Sequence, residues 1–426
     1  MTKRYLDCNA DEIKTLLEEA TAELEAFKAL ELSLDMSRGK PCKDQLNLSM
    51  ALLDQVTSKD NTVAEGNIDC RNYGGPDGIP EAKRLFAQIL ACKEENIIIG
   101  GPSSLNMMFD FIAQAMISGL GGEPWCKQGE IKFLCPSPGY DRHFAICEHF
   151  GIKMIPIAMD TDGPDIEEIE RLVKDPAVKG MWCVPKYSNP QGITYSDQMV
   201  RRIANLKPAA PDFRIMWDNA YSIHIVSADD HLIDVLAECK KAGNPSLVVE
   251  FASTAKVTFP GGGIACVAAN KGNCDLIKKR MNVQTICHDK INQLRHARMF
   301  PDFKALESHM RRHAEILEPK FRMVIDMLTD RLGGTDILAW DQPNGGYFIS
   351  VDTLPGCAKR VVELCKEAGV VLTEAGATYP YGNDPLDSNI RIAPSFPPVD
   401  ELRQAMKIFT TAVKIATCEM LIEQGV

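Results

Sequence analysis

A chain of 426 residues, 45% apolar and 25% charged, has the composition of a globular protein with two domains or one large one. Its net charge of −11 argues against nucleic acid as a partner, because phosphate binding needs clustered cations. No uninterrupted apolar stretch approaches a membrane span, so no membrane partner is expected.

Fifteen cysteines lie scattered without a Cys-x-x-Cys pair. The opening Met1-Thr2-Lys3-Arg4-Tyr5-Leu6-Asp7 lacks the apolar core of a signal peptide. A cytoplasmic protein with reduced, mostly buried thiols is therefore expected, without a disulfide framework or a metal.

In chain order, residues 11–32 place Ile13, Leu16, Leu17, Ala20, Leu24 and Phe27 on one face at helical spacing, opposite Glu and Lys. The pattern stops at Ser37-Arg38-Gly39-Lys40-Pro41, which is either plain connection or, with a glycine between two cations, a place for close approach of an anionic ligand. Asn72-Tyr73-Gly74-Gly75-Pro76-Asp77-Gly78 is a glycine-rich loop running into a helix near Pro80, and it matches neither nucleotide-binding glycine pattern. Short apolar runs then recur at 96–100, 131–135, 153–159, 180–184, 213–217, 247–251 and 264–269. Helical periodicity fills several intervals, at 105–117, 144–150, 166–173 and 199–206. Strands alternating with helices predict an α/β fold with a mostly parallel seven-stranded sheet flanked by helices. The last third predicts a helix over 303–332, strands at 347–351 and 370–373, and a helix over 399–420.

Ligands of such sheets sit beyond the carboxyl ends of the strands, and the polar residues follow that rule. After the first run come Ser103, Ser104 and Leu105 at a helix start, which is either an anion site or an ordinary N-cap. Tyr140 follows the second run, free to pack or to stack on a planar ligand; Asn189 lies in an Asn-Pro turn after the fourth. Asp218 and Tyr221 follow the fifth, and a carboxylate ending an apolar run needs a partner. The sixth run delivers Ser253-Thr254-Ala255-Lys256 into a turn ending in Gly261-Gly262-Gly263. By itself Lys256 is either a solvated lysine after a strand or, because a lysine is a nucleophile only when neutral, a Schiff-base lysine held in a partly apolar site.

Asp218-x-Ala220-Tyr221, Ser253-x-x-Lys256 and, ahead of both, Asn189-Pro190-x-Gly192 resemble fold-type I pyridoxal-phosphate aminotransferases of class I/II, in the family's order. The Tyr73 loop, Pro343-Asn344-Gly345-Gly346-Tyr347-Phe348 and Asn389-Ile390-Arg391-Ile392-Ala393 extend the likeness over nearly the whole chain. Tyr187-Ser188-Asn189-Pro190 and Phe259-Pro260-Gly261 look closest to the MocR-related branch containing bacterial aspartate aminotransferases.

The resemblance implies pyridoxal 5'-phosphate carried on Lys256 as the catalytic residue, Asp218 at its ring nitrogen, Asn189 and Tyr221 at its phenolic oxygen and Tyr140 stacked on the ring. Ser103, Ser104, Leu105 and Ser253 would complete the cofactor site. Arg391 would take the substrate α-carboxylate in a planar fork, with Gly39 and Asn189 beside it. It also implies a homodimer in which Tyr73 reaches the neighbouring subunit's site. The large cofactor-binding domain would span 46–304, and 1–45 with 305–426 would form a small α+β domain. An amino acid and a 2-oxo acid would be the substrates, with aspartate and 2-oxoglutarate expected.

One departure stands out: the family's phosphate-gripping arginine falls at Ile264. Either the amides of Gly261 to Gly263 with the Ser103 and Ser104 hydroxyls suffice, or another cation serves. Three rivals remain. A β-lyase or decarboxylase of the same fold uses the same residues. A catalytically silent effector-binding module would keep the fold alone. A penicillin-recognising serine enzyme shares Ser-x-x-Lys, but needs that serine to open a helix and needs Ser-Asp-Asn and Lys-Thr-Gly, neither of which occurs.

Overall fold

All seven predicted strands form, and they join one sheet: β1 (Ile97–Ile99), β2 (Lys132–Ser137), β3 (Lys153–Asp160), β5 (Val178–Cys183), β6 (Arg214–Asp218), β7 (Val248–Ser253) and β8 (Ala265–Ala269). This computed structural model describes residues 4–425, so the first three residues of the segment read for a signal peptide lie outside it. The sheet has eight strands rather than seven. A two-residue β4 (Gly163–Pro164) folds back antiparallel on the end of β3, too short to leave any periodicity. The order is β1-β8-β7-β6-β5-β2-β3-β4, with β7, β6, β5, β2 and β3 parallel and β8 reversed.

Successive residues of the central strands serve opposite faces, as the two-residue period requires. Met216 and Val249 join Phe111 and Ile112 of the helix α2 (Ser104–Ser118) in one core. Trp217 and Val248 join Val200 and Ile203 in the core on the other side. Covered faces explain why the strands read as continuous apolar runs.

The polar exception is Glu250, 3% exposed in the middle of β7, whose Oε1 accepts a hydrogen bond from Asn219 Nδ2 at 2.9 Å. Burial pushes its carboxyl from the ordinary 4.5 up to about 8. The folded state therefore holds a proton that the unfolded chain has lost, and stability declines as pH rises from about 4.5 through 8. Glu250→Gln is expected to flatten that decline and raise stability at about pH 9, roughly one unit above the folded value, by a few kcal/mol. Urea unfolding at pH 6 and pH 9 (about two units below and one above that pKa) checks this; equal slopes in both proteins overturn it.

The amino-terminal helix α1 (Ala10–Lys28) opens on a capping box between Asn9 and Glu12 and stops short of the predicted residue 32, because Glu31 adopts φ 48°. Its Ile13, Ala20 and Leu24 share a core with α4 (Phe303–Leu332), α5 (Val399–Glu423) and a small antiparallel sheet. That sheet is ordered β9 (Leu338–Trp340), β10 (Ile349–Thr353), β11 (Asn389–Ile392). A parallel pairing of Leu34–Asp35 with Val370–Val371 stitches the early chain to this late part, a contact no local pattern announces. All fifteen cysteines are free, and Cys126 alone is exposed. Among the described residues, no helix is long and apolar enough to cross a membrane.

Candidate active site

The parallel strands deliver their polar residues to one cavity of about 250 Å³. Lys256, Ser253 and Ala255 line it after β7, Asp218, Ala220 and Tyr221 after β6, and Asn189 after β5. Tyr140, after β2, lines it too, as do Ser103, Ser104 and Leu105 at the start of α2, which follows β1. Nine of the residues singled out by sequence thus meet in space. The rest lie elsewhere: Tyr73 is 78% exposed, and Arg391 and Gly39 stand outside the lining.

Asp218 ends β6 and is 3% exposed. Its Oδ2 accepts a hydrogen bond from His143 Nε2 at 3.0 Å. A carboxylate only accepts, so the proton between them sits on His143. The imidazole is itself held flat against Trp182, ring centroids 4.3 Å apart and planes 8° from parallel. Asp218 Oδ1, by contrast, is buried without a hydrogen-bond partner among the described residues. An orphaned buried carboxylate oxygen facing a cavity calls for a donor from a ligand. His143 was missed by the sequence reading; its signal was the i, i+3 spacing from Tyr140 across the start of the helix α3 (Asp141–His149).

Lys256 hangs from a turn pinned by Thr254, which is fully buried. Thr254 N–H donates to Ile264 O at 2.8 Å, and Val257 N–H donates to Thr254 O at 2.9 Å. Lys256 Nζ stands 4.7 Å from the centroid of the Tyr221 ring. Burial raises the Tyr221 phenol well above its ordinary value. Burial also pushes Tyr140 up to about 12, against the opposing pull of Lys256. Both phenols therefore keep their protons at neutral pH and remain hydrogen-bond donors.

Ser253 ends a strand rather than opening a helix, which removes the penicillin-recognising reading. Ile264 is 2% exposed and packs with Ile99, Ala252 and Leu294, so its side chain belongs to the core. The Gly262 amide donates to Phe259 O at 3.0 Å and is committed to its own turn. The Ser103 and Ser104 hydroxyls and the start of α2, where Ser103 caps with no side-chain hydrogen bond, line the same cavity as Lys256.

Arg391, 7% exposed on β11, donates through Nη1 to Asn189 Oδ1 at 3.1 Å and to Asp141 Oδ1 at 3.3 Å, and through Nη2 to Thr373 Oγ1 at 3.3 Å. Its guanidinium lies 4.7 Å from the Phe348 ring, and its Nε is buried without a partner among the described residues. Gly39 explains the ring's place: a Cβ there would come within 2.4 Å of Phe348 Cζ. The glycine thus admits the ring that backs the arginine. Two further cations are engaged elsewhere, Arg71 with Asp69 and Lys186 with Asp229.

A lysine amine, an orphaned carboxylate oxygen and a helix start with serine hydroxyls, gathered at one cavity, are groups suited to an anionic, planar, nitrogen-containing cofactor. The donor set fits pyridoxal phosphate. The aspartate amino-transferase family model matches residues 8–425, and the chain belongs to that family, making it a pyridoxal-phosphate-dependent aminotransferase.

The chain is 42% identical to an aspartate aminotransferase of Corynebacterium glutamicum, over 97% of this chain and 96% of that one. It is 46% identical to an aminotransferase-like protein of Mycolicibacterium smegmatis over 93% of this chain and 94% of the other. The crystal structure of a Corynebacterium glutamicum aspartate transaminase superposes with a TM-score of 0.95 at 42% identity, covering 97% of this chain and 98% of its own.

Proposed function

We propose that the chain moves the amino group of aspartate to 2-oxoglutarate, in the cytoplasm, as a homodimer whose two sites are shared. The reading of the site rests on one observation: Lys256 lines the same cavity as Asp218, whose buried Oδ1 has no hydrogen-bond partner among the described residues. The choice of aspartate is supported by the Corynebacterium relative.

Bound pyridoxal phosphate supplies an electron sink for the pair left at the substrate Cα when its proton departs. Lys256 Nζ would hold the cofactor, and its amine is the group placed to move that proton. Asp218 Oδ1 would accept a charge-assisted hydrogen bond of about 1.5–3 kcal/mol from the protonated ring nitrogen, while His143 secures the other oxygen. Tyr140 would cover the ring, and Tyr221 and Asn189 would serve the phenolic oxygen. Ser103, Ser104, Leu105 and Ser253 would hold the phosphate side. Arg391, oriented by Asn189, Asp141 and Thr373, receives the α-carboxylate near Gly39. The large domain is 46–304, and 1–45 with 305–426 form the small one; the shared core of α1, α4 and α5 supports this division.

An assay of single amino acids against 2-oxoglutarate and pyruvate tests the substrate. Aspartate with 2-oxoglutarate is expected to give the highest kcat/KM; faster turnover of an apolar amino acid overturns the assignment.

The shared site has its own test. Lys290 Nζ donates to Asn72 O at 2.6 Å and Gly74 O at 2.7 Å, so the loop is anchored while the Tyr73 ring projects outward. That geometry supports a tyrosine offered to a second copy. Lys256→Ala and Tyr73→Ala homodimers, each first shown to be impaired, are mixed and allowed to exchange subunits. One site in the mixed dimer then has both residues, and activity is expected to rise above either parent. No rise means that each site lies within one chain.

A further inference from the structure

The peptide carbonyls of Lys256 and Val257 meet a buried polar network that no step above uses. Tyr347 Oη donates to Lys256 O at 3.4 Å, and Gln45 Nε2 donates to Tyr347 Oη at 2.9 Å. Gln45 Nε2 also lies 3.1 Å from His313 Nδ1, His313 Nε2 lies 3.1 Å from His309 Nε2, and His309 Nε2 lies 2.9 Å from Val257 O. Ser49 Oγ donates to Val257 O at 3.3 Å. Gln45 and Ser49 are fully buried, His313 is 2% exposed and His309 6%.

The protons can be placed. Cys42 N–H donates to Gln45 Oε1 at 3.1 Å, which fixes the amide with its NH₂ toward His313. His313 Nδ1 is then an acceptor, and its proton sits on Nε2, aimed at His309 Nε2. Val257 O, however, only accepts, and at 2.9 Å it favours a proton on His309 Nε2 instead. One proton serves two contacts, so the pair has two placements, and each leaves one contact opposed. Burial holds both rings below their ordinary value, so a second proton does not relieve the conflict.

Both histidines ride on α4, and Gln45 and Ser49 come from the short helix Lys43–Leu48 and the residue after it. The turn that carries Lys256 is therefore gripped by elements remote from the sheet that delivers it. We propose that His309 and His313 are positioning residues of the aminotransferase reaction, setting the two peptides that follow Lys256, through the Val257 carbonyl and through the Gln45–Tyr347 link to the Lys256 carbonyl. This rests on Lys256 as the cofactor-bearing lysine.

The test compares His309→Leu, His309→Gln, His313→Leu and Tyr347→Phe holoenzymes. Each is checked for borohydride-fixed cofactor on Lys256, thermal midpoint, the absorption spectrum of the bound cofactor, and kcat and KM for aspartate. Loss of one such hydrogen bond is expected to lower kcat about tenfold in the leucine variants. KM should hold within about twofold and the cofactor band should shift.

His309→Gln restores a donor toward Val257 O and is expected to recover kcat to within about threefold of the parent. Tyr347→Phe deletes a single oxygen, keeps the inference testable should a leucine variant fail to fold, and is expected to lower kcat about threefold. Equal losses in His309→Leu and His309→Gln mean the ring only fills space, and the inference fails. Parental kcat and spectrum in Tyr347→Phe and the leucine variants also overturn it. A fixed cofactor on another lysine overturns the Lys256 reading, and this inference with it.

Discussion

Lys256→Ala is expected to lower kcat by about four orders of magnitude or more, because one atom both holds the cofactor and moves the proton. The turn around it does not depend on the amine. Thr254 pins the loop through its backbone and through Oγ1, which accepts from Ile264 N–H at 3.0 Å. The variant should therefore fold with an unchanged thermal midpoint. It should retain cofactor through Asp218 and the start of α2, now removable by dialysis. Lys256→Arg sharpens the result: the positive charge stays, but a guanidinium does not release its proton near neutral pH. It should be as inactive as the alanine variant. In the parent, borohydride should bleach the yellow protein and leave the reduced cofactor on Lys256 in peptide maps. Activity within tenfold of the parent in either variant, or a label elsewhere, would sink the assignment.

Arg391→Lys is expected to raise KM for the amino acid sharply while cofactor absorbance and affinity stay as in the parent. Charge is conserved in this exchange, so the effect isolates geometry. Asn189, Asp141 and Thr373 hold the guanidinium plane, and Phe348 lies across its face. An ammonium group cannot reproduce the two-bond fork or the stacking. Losing a bidentate contact in a desolvated site costs about 2–5 kcal/mol, or roughly 30-fold to several thousand-fold in kcat/KM. Steady-state kinetics with aspartate read this directly. Unchanged kinetics would place the α-carboxylate elsewhere.

Gly39→Ala probes the same corner from behind, since the new methyl group would collide with the Phe348 ring. It is expected to raise KM for the amino acid in the same direction and to lower stability by about 1–3 kcal/mol through overpacking, again without loss of cofactor. An unchanged KM would show that the ring can yield without disturbing Arg391.

What was legible in the sequence follows from where each signal is written. The central strands are covered on both faces, so they appear as apolar runs, and the polar residue ending each run marks the strand's carboxyl end. Asp218, Lys256 and Asn189 were legible for that reason, as were the long amphipathic helices, whose periodicity is local. The edge strand Gly163–Pro164 was not, because two residues have no period.

Nor could local pattern reveal the partners of those residues. His143 meets Asp218 across 75 positions, and Arg391 meets Asn189 across 202. The sequence by itself determined the α/β class, the order of the strands along the chain and the chemical types at their ends, since these depend on neighbouring residues. Tertiary structure alone decided which Asp218 oxygen is left without a partner, that Ile264 belongs to the core, and that Gly39 backs Arg391 through Phe348. Each of these is a contact between distant segments, fixed only when the chain closes on itself and buries both sides.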